Sequence, residues 1–191
     1  TVSKLYDLVK DGLSDFEIID SNPRYIQQLD KIENVRQILR YEQFKNCFRD
    51  LDVSYITGET GSGKTRSVME KYGYQNVYRI TDYDHPFDSY KGQDVIVFEE
   101  FRSSLKIQDM LNYLDGYPCE LPCRYNNKLA CFTKVYIITN IPFDQQYVNI
   151  QTESKETWKA FCRRIHHFFT CTKALGMQEE TEWIQMTLFE K

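Results

Sequence analysis

The eight residues Gly58-Glu-Thr60-Gly61-Ser62-Gly63-Lys64-Thr65 constrain this chain more than any other stretch. They fit the pattern G-x-x-x-x-G-K-[ST], and their surroundings fit too. Val53-Ser-Tyr-Ile-Thr57 reads as a strand leading in, and residues 64–71 read as a helix leading out, stopped near Gly73. Glycines let the backbone curl until its N–H groups converge inward, and the new helix adds its positive end. Such a turn suits a polyphosphate. Residues 58–63 would cradle it, Lys64 would reach its β- and γ-phosphates, and the Thr65 hydroxyl would ligate Mg²⁺.

The pattern around this turn predicts an α/β fold. Residues 76–81 and 94–98 read as strands, 107–114 as a helix, and Val135-Tyr-Ile-Ile-Thr139 as a buried strand. Residues 120–125 and 129–134 look like the arms of a hairpin around Asn126-Asn127. A helix over 153–164 and a final strand over 167–172 follow, and the tail is weakly patterned. Strands alternating with helices imply a central, mainly parallel sheet flanked by helices. Residues 1–50 instead read as helices alone. Leu5, Leu8 and Val9 are at helical spacing, Gly12 is a stop, and Ser14-Asp-Phe-Glu17 has the form of a capping box. Asn22-Pro23 opens a third helix expected to run to about residue 48. Its apolar stripe must pack on the following domain or on a neighbouring subunit. The expected division is a helical domain over 1–50 and an α/β domain over 51–191.

Composition bounds the rest. The chain has 191 residues, 41% hydrophobic and 15% aromatic, which argues against disorder. No apolar run approaches the ~18 residues of a membrane span, so no membrane association is expected. It begins at Thr1, without Met or a signal segment, and reads as a piece of a longer protein. Cys119 and Cys123 with His166 and His167 match no familiar zinc spacing, and the six cysteines read as reduced, packed thiols.

A phosphate-binding turn that does chemistry needs acids. Val95-Ile-Val-Phe98 is an apolar run ending in Glu99-Glu100. A buried strand delivering two carboxylates at its end provides a Mg²⁺ ligand, assigned to Glu99, and a residue that orients or deprotonates water, assigned to Glu100. The strand at 135–139 ends in Asn140, an amide placed to sense a γ-phosphate. Arg163 and Arg164 offer a cation to transition-state charge from a neighbouring subunit, or merely stabilise a helix C-terminus. Arg124-Tyr125-Asn-Asn127-Lys128 at the hairpin suits phosphate contact and base stacking.

This order of a phosphate loop, an acid pair, a hairpin with Lys128 at its tip and a strand ending in Asn140 resembles the superfamily 3 helicases, a branch of the AAA+ ATPases with a P-loop NTPase core. It is closer still to the helicase domain of the Rep initiator proteins of small circular single-stranded DNA viruses, such as circoviruses, and of related plasmids. Tyr90-Lys-Gly-Gln93, the 95–101, 131–140 and 161–165 segments and the opening Tyr6-Asp-Leu-Val-Lys-Asp-Gly12 carry the likeness.

The resemblance implies ATP and Mg²⁺ as cofactors, a hexameric ring with ATP between subunits, and translocation on single-stranded DNA, 3′ to 5′. It implies that residues 1–50 form an oligomerisation collar, that Lys128 lines the channel, that Asn140 is the sensor, and that Arg163 or Arg164 acts in trans. It also implies an amino-terminal nuclease in the full-length chain, and an intracellular site: bacterial cytoplasm for a plasmid, host nucleus for a eukaryotic virus. The acid pair departs from relatives that carry Asp there. An ATP-binding assembly module that recruits replication partners, or an RNA helicase of the same superfamily, are the alternatives. The net charge of -4 is compatible with a DNA channel because residues 120–173 carry 8 basic and 4 acidic side chains.

Overall fold

In a computed structural model, which describes residues 1–189, the chain divides into two compact units, Thr1–Cys47 and Phe48–Lys191. The expected break after residue 50 falls a little earlier. Arg49 belongs to the second unit because its buried guanidinium donates to the carbonyls of Phe132 (2.6 Å), Asp115 (3.2 Å) and Tyr117 (3.3 Å) and lies over the Phe132 ring.

The first unit is helical. Helix α1 spans Val2–Lys10, α2 spans Asp15–Ser21 and α3 spans Leu29–Phe44. The capping box forms as the sequence predicts: Glu17 N–H donates to Ser14 Oγ, and Ser14 N–H donates to the Glu17 carboxylate. The single long helix expected from Asn22-Pro23 does not form. Pro23–Gln28 is a 3₁₀ turn, and Gln28 (φ -115°, ψ 6°) breaks the path before α3 starts. Part of the apolar stripe finds its partners at home, while Ile26 and Ile38 of the same stripe stay exposed. Val9, Ile18, Tyr25 and Ile32 pack together, with Leu5, Leu8, Leu13, Leu29, Val35 and Leu39 around them, so the unit has its own core. Arg36 fastens α3 to the α1–α2 turn by donating to the Leu13 carbonyl (2.9 Å) and pairing with Asp15.

The second unit is built on a six-stranded sheet in the order β2-β3-β6-β1-β7-β8. Its strands are β1 Asp52–Gly58, β2 Val77–Ile80, β3 Val95–Phe98, β6 Lys134–Thr139, β7 His167–Thr172 and β8 Gly176–Glu179. All neighbours are parallel except β7 and β8. Strand β3 is buried along its whole length, as a strand covered on both faces must be. Helix α4 (Lys64–Tyr72) covers one face, where Val68 and Met69 meet Ile56, Val97 and Ile138. Aromatic rings fill the other face. Phe143 lies 5.0 Å from Tyr55, 5.0 Å from Phe168 and stacked at 5.5 Å on Phe161 of α7 (Lys155–Arg163). Helix α5 is Ile107–Tyr113.

Three expectations are corrected. The helix expected over 153–164 starts only at Lys155. Ser154 (φ -144°, ψ 72°) separates it from the short α6 (Val148–Glu153). The final strand is not final: β7 turns back through Lys173-Ala-Leu into β8, with Gly176 at φ +69°, the signature of a three-residue hairpin. Helix α8 (Thr181–Phe189) follows. The predicted hairpin is much shorter, with only β4 (Glu120–Leu121) and β5 (Lys128–Leu129) paired. Pro122 has no N–H with which to continue the ladder, and Thr133 is drawn to Asp94 at the start of β3.

Candidate active site

Three parallel strands end side by side at one edge of the sheet. β6 lies between β3 and β1, with Ile137 opposite both Phe98 and Tyr55. Continuing that register beyond the strands puts Glu99 and Glu100, Asn140, and the 58–63 turn at the same carboxyl edge, on adjacent strands about 4.8 Å apart. Open α/β sheets bind their ligands at this edge.

The turn is built from close approaches and left-handed backbone. A Cβ on Gly58 would lie 2.0 Å from the Cys171 carbonyl oxygen, while Gly61 and Gly63 have φ of +75° and +90°. Strand β7 and the residue after it grip the turn at two further points: Cys171 Sγ donates to the Ser62 carbonyl (3.2 Å), and Lys173 N–H donates to the Glu59 carboxylate (2.9 Å). Lys64 is buried, and its ammonium donates to the carbonyls of Gly58 (2.9 Å) and Glu59 (2.7 Å). The Ser62 hydroxyl is buried and has no hydrogen-bond partner among the described residues. Thr60 is exposed and Thr65 half-buried.

These residues fit a phosphate group. The Lys64 ammonium rests on neutral carbonyls, which bind it less strongly than charged phosphate oxygens, and the Ser62 hydroxyl has a bond to give. Among the described residues no three His, Cys, Asp or Glu side chains gather to hold a metal. A cation near Thr65 and Glu99 would therefore draw on phosphate oxygens and water, the manner in which Mg²⁺ binds.

The acid pair divides by environment. Glu99 is buried, its carboxylate accepting from Arg79 Nε (3.3 Å) and its carbonyl from the Tyr83 hydroxyl (2.6 Å). Glu100 is exposed and has φ +47°, a conformation that costs a non-glycine residue about 1–2 kcal/mol. Asn140 is exposed, and its Oδ1 accepts from Arg102 (2.6 Å).

A sequence profile of the RNA helicase family matches residues 54–140, the span from β1 to Asn140. The chain is 30% identical over 177 residues to the replication-associated protein of goose circovirus, covering 89% of this chain and 56% of the relative. It is 28% identical over 89 residues to the replication-associated protein of canary circovirus, and 31% identical over 108 residues to the replication protein of Onion yellows phytoplasma. These matches support a Rep-like helicase domain of the superfamily 3 type in this chain. It spans about half the length of the goose circovirus protein (56%) and less of the other two (30% and 28%).

Within the helicase domain the two arginines at the end of α7 are not equivalent. Arg164 is held internally: it donates to the carbonyls of Leu111 (3.1 Å) and Ala160 (2.9 Å) and pairs with Asp115 (3.3 Å). Arg163 is exposed, and among the described residues no ion pair engages it.

The hairpin of the helicase domain differs from its sequence reading. Lys128 is not at the tip but on the returning arm, where its ammonium donates to the Asp88 carbonyl. Asp88 also grips Arg124, accepting from its Nε and its backbone N–H (3.1 Å), and Arg124 holds the Asp88 carboxyl below the usual range. Asn127 closes the turn by accepting from Cys123 N–H (3.3 Å). Tyr125 stands at the tip, 93% exposed. Asp88 and Arg102 went unassigned in the sequence. Arg102 carries a signal in retrospect, a cation two residues past an acid pair. Asp88 carries none, because its importance depends on residues 36 positions away.

Proposed function

We propose that this chain is the ATP-driven motor part of a replication initiator, hydrolysing ATP with Mg²⁺ and moving on single-stranded DNA. The observation that carries the reading is the shared carboxyl edge of β1, β3 and β6, which holds a phosphate loop, an acid pair and an amide on adjacent strands. Lys64 exchanges its two loop carbonyls for the β- and γ-phosphates. Thr65 and Glu99 would hold Mg²⁺, which would supply neutralisation of the phosphate charge. Glu100, exposed beside Glu99, orients the attacking water and takes its proton. Asn140, with Arg102 on its Oδ1, senses the terminal phosphate. Arg163, rather than the internally bonded Arg164, reaches the site of a neighbouring subunit. Tyr125, Asn127, Arg124 and Lys128 contact the strand through stacking and phosphate pairing.

The circovirus relatives and the resemblance to Rep helicases support the remainder: a hexameric ring with the Thr1–Cys47 unit as collar, 3′ to 5′ movement, and a nuclease domain elsewhere in the full-length protein. The place of work is intracellular, the host nucleus for a eukaryotic virus or the bacterial cytoplasm for a plasmid. Among the described residues no helix is long and apolar enough to cross a membrane.

Lys64→Ala tests the core of the reading. Turnover of ATP should fall by about a hundredfold or more while the circular dichroism spectrum is kept. Undiminished hydrolysis would overturn the assignment. The RNA helicase profile favours a second reading, in which the track is RNA. Comparing single-stranded DNA with RNA as stimulants of turnover decides between them.

A further inference from the structure

Among the described residues three non-glycines have left-handed backbone: Glu100 (φ +47°), Ser103 (φ +52°) and Tyr147 (φ +48°). All three lie in the two loops that leave β3 and β6 at the carboxyl edge. Between these loops sits Gln146, with none of its surface exposed (0%).

The Gln146 amide uses every bonding position it has. Its Nε2 donates to the Tyr55 hydroxyl (3.1 Å) and the Phe101 carbonyl (2.9 Å). Its Oε1 accepts from Ser103 N–H (2.6 Å) and Ser103 Oγ (3.0 Å). The Ser103 hydroxyl in turn accepts from Tyr147 N–H (2.7 Å), and the Tyr147 hydroxyl donates to the Leu105 carbonyl (2.6 Å). A primary amide has two donors and two acceptor lone pairs, so this one is saturated and has a single orientation. A buried amide half-satisfied would be costly.

The saturated amide spans what the site needs held. Tyr55 belongs to β1, the strand that feeds the phosphate loop. Phe101 and Ser103 immediately follow the acid pair. A left-handed residue such as Glu100 persists only where its surroundings over-determine it, and the bonds at 101 and 103 do so from one side. The same segment presents Arg102 to Asn140. The acid pair, the arginine and the amide sensor therefore sit on two loops joined through one buried side chain.

We propose that Gln146 is the positioning residue of the acid pair. It ties the 99–103 segment to β1 and so fixes the Glu100 carboxylate relative to the phosphate loop, without touching the nucleotide. This rests on the reading above, in which the pair serves ATP hydrolysis. Loosening the segment misplaces the water-activating group and leaves the loop's own grip on phosphate intact. The effect therefore falls on turnover and not on binding.

The test uses the full 191-residue chain. Gln146→Met keeps the volume and removes all four bonds. Ser103→Ala removes only the hydroxyl and guards against a variant that fails to fold. A fluorescent ATP analogue measures the dissociation constant, and phosphate release measures kcat, both well below the melting temperature. The expected result is a kcat lowered about tenfold or more with affinity kept within about threefold. Adding Glu100→Gln to either variant should cost much less than Glu100→Gln costs the wild type, because the group is already displaced. A kcat unchanged in folded Ser103→Ala and Gln146→Met, affinity and turnover falling together, or fully additive losses would each overturn the proposal. Lys64→Ala separates its failure from that of the parent reading. Wild-type turnover that does not depend on Lys64 removes both, whereas Lys64-dependent turnover insensitive to Gln146 removes only this inference.

Discussion

The His166 ring has one task for its Nδ1 lone pair, to accept the Val53 N–H at 3.0 Å where β7 meets β1. Burial lowers its pKa, and His167 adds to this while Asp52 opposes it. A folded pKa below the unfolded value means that the bond's contribution is complete above about pH 6.5 and is lost as pH falls through the folded value. Wild type should therefore lose melting temperature between about pH 7.5 and 5. In His166→Gln, whose side chain does not titrate, the loss should be smaller. Parallel curves for the two proteins would take His166 out of the pH response. At this scale the sequence was legible where a residue acts through a local pattern. Lys64 and the acid pair announce themselves by neighbours within a few positions. Gln146 does not, because its partner Tyr55 is 91 residues away in the chain and nothing in Asp144-Gln-Gln-Tyr147 marks one glutamine from the other.

Elements were legible in proportion to their burial. β3 is a continuous apolar run, β6 is apolar over 135–138, and β1 is buried over 53–56, because both faces are covered. β8 is mostly exposed and polar, so it lacks that pattern, and only Gly176 hints at it. The 120–129 hairpin shows the converse. Its arms look strand-like in sequence, yet Pro122 and the pull of Asp94 on Thr133 leave two residue pairs. Asp88 supplies the rigidity that the short ladder lacks. Its carboxyl has a lowered pKa, so the clamp on Arg124 is kept above about pH 4 and lost only in stronger acid. With the arm fixed, the exposed Tyr125 is the group free to stack. Tyr125→Ala should weaken single-stranded DNA binding by roughly 1–3 kcal/mol in fluorescence anisotropy, leaving unstimulated ATP turnover alone. Undiminished affinity would remove the tip from the interface.

For the whole molecule, the charge of a segment is a poor guide to the charge it presents. Residues 120–173 carry a net +4, yet Arg124, Lys134, Lys159 and Arg164 pair with Asp88, Asp94, Glu156 and Asp115. Lys155, Arg163 and Lys173 have no ion pair among the described residues. This sharpens the choice between the two arginines, which the sequence left open. If subunits share sites, Arg163→Ala protein mixed with wild type should depress ATP turnover more steeply than its mole fraction. A strictly proportional loss would argue against action in trans. Arg164→Ala should instead lower the melting temperature, because it strips the bond from the end of α7 to Leu111 of α5, the pairing with Asp115 just past α5 and the bond to Ala160 within α7.

The grip of β7 on the 58–63 turn gives that turn a hinge side and a latch side. At Gly58 and Glu59 it is pressed against Cys171 and bonded to Lys173, with no room for even a methyl group. A Cβ added at Gly63 would meet nothing within 4 Å. A ligand exchanging here finds give on the latch side at Gly63, whereas the hinge side is held by β7 and the residue after it.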